Sequence, residues 1–312
     1  MEYSAPTDWS GEIRRVRIGA TRADGGTRTV SYEIGGNTGL PFVEPKTGLT
    51  RPLVAYELCD DPGVWSPLVV ERVGETVTDL AGWTKFAERE LGPDLIRVYL
   101  TSTRRRGFED FDAIGNTIRT VLEATGLPLC VEGPNEPSIE SEAFRRIGEA
   151  GEGERLLLGT AEASRYRSVA AAALAYHHAV IAQSPIDVNL AKQLNILLRE
   201  IGVPPDQIVI DPYTGALGYG FEYTYSAMER IRYAALKGDT DLAMPMITSA
   251  IDSLTIKEVR DAPPGDAHRT AVAWEVTTGL ASAVAGSAIV CVRHPDSVAP
   301  LRAAIAATWG VN

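Results

Sequence analysis

Three cysteines in 312 residues, Cys59, Cys130 and Cys291, are too few and too far apart for a disulfide framework or a Cys-x-x-Cys metal or cluster motif. Each lies in an apolar run, so each is expected to be a small buried hydrophobe. The four histidines form no His-x-x-x-His pair and no close group with carboxylates at metal-ligand spacing. Basic charge is also short. Thirty Lys and Arg stand against 41 Asp and Glu, a net charge of -11, which excludes a nucleic-acid or anionic-membrane surface. The only basic run, Arg104-Arg105-Arg106, reads as a solvated loop. No apolar stretch approaches the roughly 20 residues of a membrane span. Residues 1–9 lack the apolar segment of a signal peptide, so a cytoplasmic protein is expected. A G-x-S-x-G nucleophile elbow is absent. No predicted strand ends in a lysine fit for Schiff-base chemistry.

What is present is a repeat. From Pro52 onward, near-continuous apolar runs at 53–58, 95–100, 129–132, 156–159, 180–183, 208–211, 242–247 and 288–292 alternate with helical patterns. Continuous rather than alternating hydrophobicity suits parallel strands covered on both faces. Ile114, Ile118, Val121 and Leu122 form one helical stripe, and Leu190, Leu194, Leu197, Leu198 and Ile201 another. Ser184-Pro185-Ile186-Asp187 predicts a helix start with Ser184 as its cap. Gly92-Pro93, Gly126-Leu127-Pro128 and Gly202-Val203-Pro204 punctuate helix-to-strand junctions. Eight such units over about 250 residues have the size of a (β/α)8 TIM barrel, with a doubly wound open sheet as the runner-up. Ahead of it, residues 13–20 and 27–34 flank Asp24-Gly25-Gly26, which reads as a hairpin covering the barrel bottom. The expected organisation is an N-terminal extension over 1–50 and a barrel over 51–312.

Barrel chemistry collects where strands end. Those ends offer Glu57, Cys59 and Asp60; Tyr99 and Thr101; Glu132 and Asn135; Thr160 and Glu162; Gln183 and Ser184; Asp211 and Thr214; Met246 and Thr248; Arg293 and His294. This set can hydrogen-bond the amide fringe of a large polar ligand, and it lacks a nucleophile. Glu57 and Glu132 could serve as an acid/base pair, though such carboxylates often only satisfy loop amides. His177 falls on the apolar stripe of Tyr166, Val169, Ala170, Ala173 and Leu174 and reads as a packed helix-end residue. His294, before Pro295, is the histidine expected near a site.

The most informative stretch is Asp211-Pro212-Tyr213-Thr214-Gly215-Ala216-Leu217-Gly218-Tyr219-Gly220, between the apolar run 207–210 and the helical pattern 221–232. Its glycines allow a tight turn and close approach of a flat partner, or they serve the turn alone. Their order is not the dinucleotide G-x-G-x-x-G fingerprint, and no Lys-Ser/Thr follows as in a Walker loop.

That stretch, continued through Glu222-Tyr223, Ser226 and Met228-Glu229-Arg230-Ile231-Arg232, resembles the signature of the small subunit of the corrinoid iron–sulfur protein. The family includes the delta subunit of the archaeal acetyl-CoA decarbonylase/synthase complex. Ile18-Gly19-Ala20-Thr21, Gly25-Gly26-Thr27-Arg28, Gly35-Gly36, Leu40-Pro41-Phe42, Leu157-Leu158-Gly159, the run 184–197, Met244-Pro245, Trp274-Glu275 and Arg293-His294-Pro295 extend the resemblance over nearly the whole chain. It departs at Tyr99-Leu100-Thr101-Ser102-Thr103, where the family has a Lys-Leu-Asp-like stretch, and over 249–268, which is short of the family's aromatics.

The resemblance implies a (β/α)8 barrel without a cluster of its own, sharing a corrinoid (cobalamin) with a large subunit that carries the iron–sulfur cluster. The pair would form a heterodimer that takes a methyl group from methyltetrahydrofolate or methyltetrahydropterin, through a methyltransferase, to acetyl-CoA synthase/CO dehydrogenase in the reductive acetyl-CoA pathway. It further implies that Asp211, Thr214, Gly215, Gly218, Tyr219, Gly220, Asn189 and His294 face the corrinoid, with no catalytic residue and no metal ligand in this chain. One alternative is a pterin-binding barrel methyltransferase using Glu57, Asp187, Asn189 or Asp211 on a pterin ring. A purely structural subunit is another.

Overall fold

The computed structural model describes residues 9–40, 50–102 and 110–310. Two short antiparallel strands, β1 (Val16–Ile18) and β2 (Tyr32–Ile34), precede the barrel strands β3 (Leu53–Cys59), β4 (Leu95–Tyr99), β5 (Leu129–Glu132), β6 (Leu157–Ala161), β7 (Ala179–Gln183), β8 (Ile208–Asp211), β9 (Met246–Ser249) and β10 (Ser287–Val292). These eight are parallel and close in sequence order, with β10 pairing both β9 and β3. Helices α1 (Pro67–Val73) and α2 (Leu80–Phe86) follow β3. The next five strands are followed by α3 (Phe111–Ala124), α4 (Glu140–Ala150), α5 (Tyr166–Tyr176), α6 (Val188–Glu200) and α7 (Phe221–Leu236). After β9 come α8 (Lys257–Arg260) and α9 (Ala267–Val284), and α10 (Val298–Trp309) closes the ring. The expected (β/α)8 barrel with an N-terminal two-stranded sheet is the fold observed.

Side chains of a strand alternate between faces, so each barrel strand splits its residues between the helices and the barrel interior. Val54, Tyr56, Leu58, Ile96, Val98, Val131, Val180, Ile210 and Val290 pack outward in the main core with the helices. Leu53, Ala55, Leu95, Cys130, Leu157, Ala179, Ile181, Val209, Ile247, Ile289 and Cys291 fill the interior. Val16, Ile18 and Ile34 join that interior cluster, so β1 and β2 plug the end of the barrel where the strands begin. Each such side chain contributes about 1.5–3 kcal/mol on burial.

Four local expectations are corrected. The expected hairpin is present as β1 and β2, but its connection is longer than Asp24-Gly25-Gly26: Arg22–Asp24 is a 3-10 turn, Gly25 takes a left-handed φ of 89°, and β2 begins only at Tyr32. The longer path lets Arg28 turn inward, where its guanidinium pairs with Glu154 at 2.7 Å and donates to the carbonyls of Thr125 and Leu122. The strand expected over 242–247 starts at Met246, because Pro245 has no N–H to give the ladder. The helix expected from Ser184 starts at Val188, with Asp187 as its cap accepting from the N–H groups of Asn189 and Leu190. His177 is exposed at a left-handed φ of 59° that ends α5, and its neighbour His178 is the packed histidine. The triple arginine 104–106 and Pro41-Phe42 lie outside the described residues.

Two predictions follow from these contacts. Arg28→Ala leaves Glu154 buried without its cation, a change that costs about 3–5 kcal/mol. Urea unfolding should show that loss, and Arg28→Met combined with Glu154→Gln should recover most of it. His178 accepts from the Leu156 N–H at 3.2 Å and faces the Gly148 carbonyl, and burial lowers its pKa from 6.5 to about 4. A depressed folded value means that the unfolded chain protonates first. Stability is therefore full above pH 6.5 and falls towards pH 4, by about 3 kcal/mol for this group. His178→Gln should remove that share of the acid loss, leaving the share of His294, which burial also lowers to about 4.

Candidate functional site

The inward rows that are apolar at the plugged end turn polar at the other. Two residues beyond Ala55, Leu95, Cys130, Ile181, Val209, Ile247 and Cys291 stand Glu57, Arg97, Glu132, Gln183, Asp211, Ser249 and Arg293, on the same face by strand alternation. All of them line one cavity of about 270 Å³, completed by Tyr99, Tyr213, Thr214, Ile251 and Asp252. The period of two thus carries the apolar plug and the polar mouth on one set of strands.

Charge organises this cavity. Arg97 reaches Glu57 at 2.9 Å through Nη1 and pairs with Glu132 through Nη2, while Nη1 also donates to Ser249 Oγ at 3.3 Å. Burial by itself would lower the Arg97 pKa, and Glu57 together with the other acidic groups around it, Asp211 among them, outweighs that, so the guanidinium is held firmly protonated. Arg293 donates from Nε to Glu57 Oε1 at 2.8 Å, and its guanidinium lies 4.4 Å from the ring centre of Trp65. Asp211 accepts from Gln183 Nε2 and from the Tyr213 N–H, both at 2.8 Å, and burial raises its pKa. Burial raises Asp252 as well, and the Tyr213 hydroxyl donates to it at 3.4 Å.

Four carboxylates, Glu57, Glu132, Asp211 and Asp252, therefore face two guanidinium groups. Among the described residues Glu132 Oε1, Asp252 Oδ1 and the Gln183 side-chain carbonyl make no hydrogen bond. The surplus is of acceptors. Such a mouth suits a ligand that presents uncharged N–H donors and disfavours a phosphate or carboxylate. Among the described residues the lining includes hydroxyls of Tyr99, Tyr213, Thr214 and Ser249 and no cysteine, lysine or histidine. Cys130 and Cys291 lie inside the barrel below the cavity, and burial raises both thiols, Cys130 to about 12. Among the described residues no group of three His, Cys, Asp or Glu is placed to hold a metal ion.

The structure brings some of the sequence-selected residues together and separates others. Asp211 and Thr214 line the cavity, and Thr214 Oγ1 accepts from the Ser249 N–H at 3.2 Å. Gly215, Gly218, Tyr219 and Gly220 form the rim beside it and do not line it. A Cβ on Gly215 would sit 2.8 Å from the Gly220 carbonyl carbon, so this glycine serves the closure of the loop itself. Thr224 fastens the loop by accepting from the Gly215 N–H and donating to the Tyr213 carbonyl. Gly218 and Gly220 take φ of 74° and 104°, and a Cβ on either would meet only an ordinary contact, 3.8 Å from Trp274 and 3.9 Å from Tyr223. Tyr213, Tyr219 and Tyr223 stand exposed on the rim, whereas Phe221 is buried. Asn189 is exposed at the start of α6, outside the cavity lining. His294 is fully buried behind the rim, its ring 3.3 Å from His268, and does not reach the cavity.

Sequence reasoning missed Arg97, Tyr213's role beside Asp252, and the contribution of Ile251 and Asp252 from the segment after β9. The phase of Leu95 and Arg97 against Ala55 and Glu57 could have found the first, since register places Glu57 beside Arg97.

Comparison with known proteins agrees with this architecture. A family model described as CO dehydrogenase/acetyl-CoA synthase delta subunit matches residues 15–297. The acetyl-CoA decarbonylase/synthase complex subunit delta 2 of Methanosarcina acetivorans is 35% identical over 307 residues, spanning 95% of this chain and 70% of its own length. The corresponding subunit delta of Methanopyrus kandleri is 33% identical over 294 residues, spanning 92% and 73%. Among solved structures, dihydropteroate synthase from Xanthomonas albilineans in complex with 7,8-dihydropteroate superposes with a TM-score of 0.59 at 20% identity, over 84% of this chain and 95% of its own. Dihydropteroate synthase from Burkholderia cenocepacia gives 0.58 at 15% identity, over 96% and 98%. These last two share the fold. The match along residues 15–297 and the identity to archaeal delta subunits show more: the chain belongs to the CO dehydrogenase/acetyl-CoA synthase delta subunit family.

Proposed function

We propose that this chain is the barrel subunit of a corrinoid-dependent methyl carrier. It would work with a larger subunit that holds the iron–sulfur cluster and most of the corrinoid site. The methyl group would come from methyltetrahydrofolate or methyltetrahydropterin and pass to acetyl-CoA synthase. The observation that carries this reading is the acceptor-rich mouth rimmed by exposed Tyr213, Tyr219 and Tyr223.

The residues fit the group chemically. A corrin is a large apolar ring fringed with carboxamides, which donate N–H bonds. Glu132, Asp252 and the Gln183 carbonyl would accept from such amides, and the tyrosines would pack against ring and partner, as aromatics do at interfaces. When bound, the corrinoid supplies the metal centre on which the methyl group travels. The chain's own residues orient and cover: Arg97 keeps Glu57 and Glu132 spread across the mouth, and the loop fastened by Thr224 sets the rim. Relatives of the chain are named as subunits of a complex, which supports a role that needs partners.

A second reading, a pterin-binding methyltransferase, is favoured by one arrangement, the Asp211 carboxylate beside the Gln183 amide at the cavity wall. It loses Asp187, which caps α6, and Asn189, which lies outside the cavity. Titrating the isolated chain with methyltetrahydrofolate separates the readings. Tight one-to-one binding supports the enzyme and counts against the carrier.

Two outcomes are expected. Co-expressed with a cluster-bearing large subunit, the chain should elute from size exclusion as one complex near the summed mass. The Tyr219→Ala, Tyr223→Ala double variant should weaken that complex while unfolding at the same temperature as the parent. A monomer that ignores the large subunit would count against the proposal. Gly218→Val adds a Cβ where φ is positive and the nearest neighbour, Trp274, is at contact distance, at a cost of about 1–2 kcal/mol for the backbone strain. The variant should keep its circular-dichroism spectrum and its partner, and the reconstituted pair should take up methyl groups more slowly. An unchanged rate would reduce the loop to a turn.

A further inference from the structure

Arg293 is one of the two cations of the mouth, and it is held from behind by a group that the cavity does not contain. Glu275 is fully buried in the middle of α9. Its Oε1 accepts from the Arg293 N–H at 2.7 Å, and its Oε2 accepts from the His294 N–H at 3.1 Å. The backbone at the end of β10 is thus gripped by both oxygens of one carboxylate. From that backbone the Arg293 side chain runs past Trp65 to Glu57.

A strand end is ordinarily capped by neutral groups, and α9 offers Thr278 and Ser282 on its buried face nearby. A carboxylate there is costly, since burying an ionised acid is penalised unless its oxygens are satisfied. Two donors require two acceptor oxygens, and only the ionised form supplies both without a competing O–H. We propose that Glu275 is the positioning residue for Arg293, deciding through two backbone amides whether the guanidinium is seated in the mouth. Ionised, it fixes both N–H groups, and Arg293 sits between Trp65 and Glu57. Uncharged, it frees one N–H, and the cation loses its seat, which increases the negative surplus of the mouth.

The surroundings allow this change near neutral pH. Burial raises Glu275 to about 7, against the hydrogen bonds of the Arg293 and His294 N–H groups and the charge of Arg293, which lower it. Tyr56, facing it from β3, is kept neutral by burial, its hydroxyl accepting from Trp83 Nε1. His294 is kept uncharged down to about 4 by burial, its Nδ1 accepting from the Asp296 N–H and its Nε2 facing His268. Glu275 is therefore the group among these that changes charge around pH 7. The inference rests on the mouth being the working face proposed above, and its test needs neither corrinoid nor partner.

The test follows the Arg293 Nε–H resonance in protein labelled with 15N-arginine, assigned by its loss in Arg293→Lys. In the parent, its position should move with one inflection near pH 7 between pH 6 and 8.5. In Glu275→Gln the resonance should be displaced and independent of pH, and in Glu275→Asp the inflection should return at least in part. A parent resonance that stays fixed over this range overturns the proposal, as does a Glu275→Gln resonance that coincides with the parent's. Should Glu275→Gln fail to fold, the parent titration and the Asp variant decide the matter.

Discussion

A guanidinium enclosed by two carboxylates inside the barrel sets the terms for this structure. Arg97 pairs with both Glu57 and Glu132, with its side chain 11% exposed. Ions so placed lose most of their hydration, and a lone member of such a set would be strongly destabilising. Arg97 cannot be given up without stranding Glu132 and leaving Glu57 to Arg293 alone, and the acids cannot be packed over by apolar side chains. The mouth is therefore obliged to stay a polar cavity while the opposite end of the same strands is sealed by Val16, Ile18 and Ile34. One end of the barrel is free to build stability and the other to receive a ligand.

The barrel was legible because its signals are redundant. Eight apolar runs, amphipathic stripes such as Ile114-Ile118-Val121, and Gly/Pro punctuation all point the same way. Boundaries were harder where a single residue decided them. Pro245 delays β9, and Asp187 rather than Ser184 caps α6 because its side chain reaches two N–H groups. His178 takes the packed role expected of His177 because the helix ends at His177 in a left-handed turn, and the next residue then points inward. A one-residue difference in where a helix stops moves a side chain from solvent to core, and periodicity cannot resolve it.

The site was less legible than the fold. A strand covered on both faces reads as a continuous apolar run, so the phase that separates inside from outside is hidden, and with it the meaning of Arg97. The glycine-rich segment drew attention for a sound reason but one that applies unequally to its members. Gly215 is demanded by the loop's own backbone, while Gly218 and Gly220 are demanded by their positive φ and not by crowding. His294 fell at the right strand end but on the outward phase, and it packs with His268 instead of entering the cavity.

The acids of the mouth differ in how many of their oxygens are held. Glu57 and Asp211 are engaged through both, by the two arginines and by Gln183 and the Tyr213 N–H, whereas Glu132 and Asp252 each keep one oxygen open to a ligand, and the thiols below are buried and held protonated. What the mouth retains is acceptor capacity and an aromatic rim, the features of a surface that orients something brought to it. Such a surface gains rate by position more than by reactivity, since misplacement of a reacting group by about one ångström can cost roughly a hundredfold. Rigidity is then the useful property. The Thr224 clasp on the glycine loop and the Glu275 grip on the end of β10 supply it from two sides, each acting on backbone amides or carbonyls and leaving the rim side chains free to meet a partner.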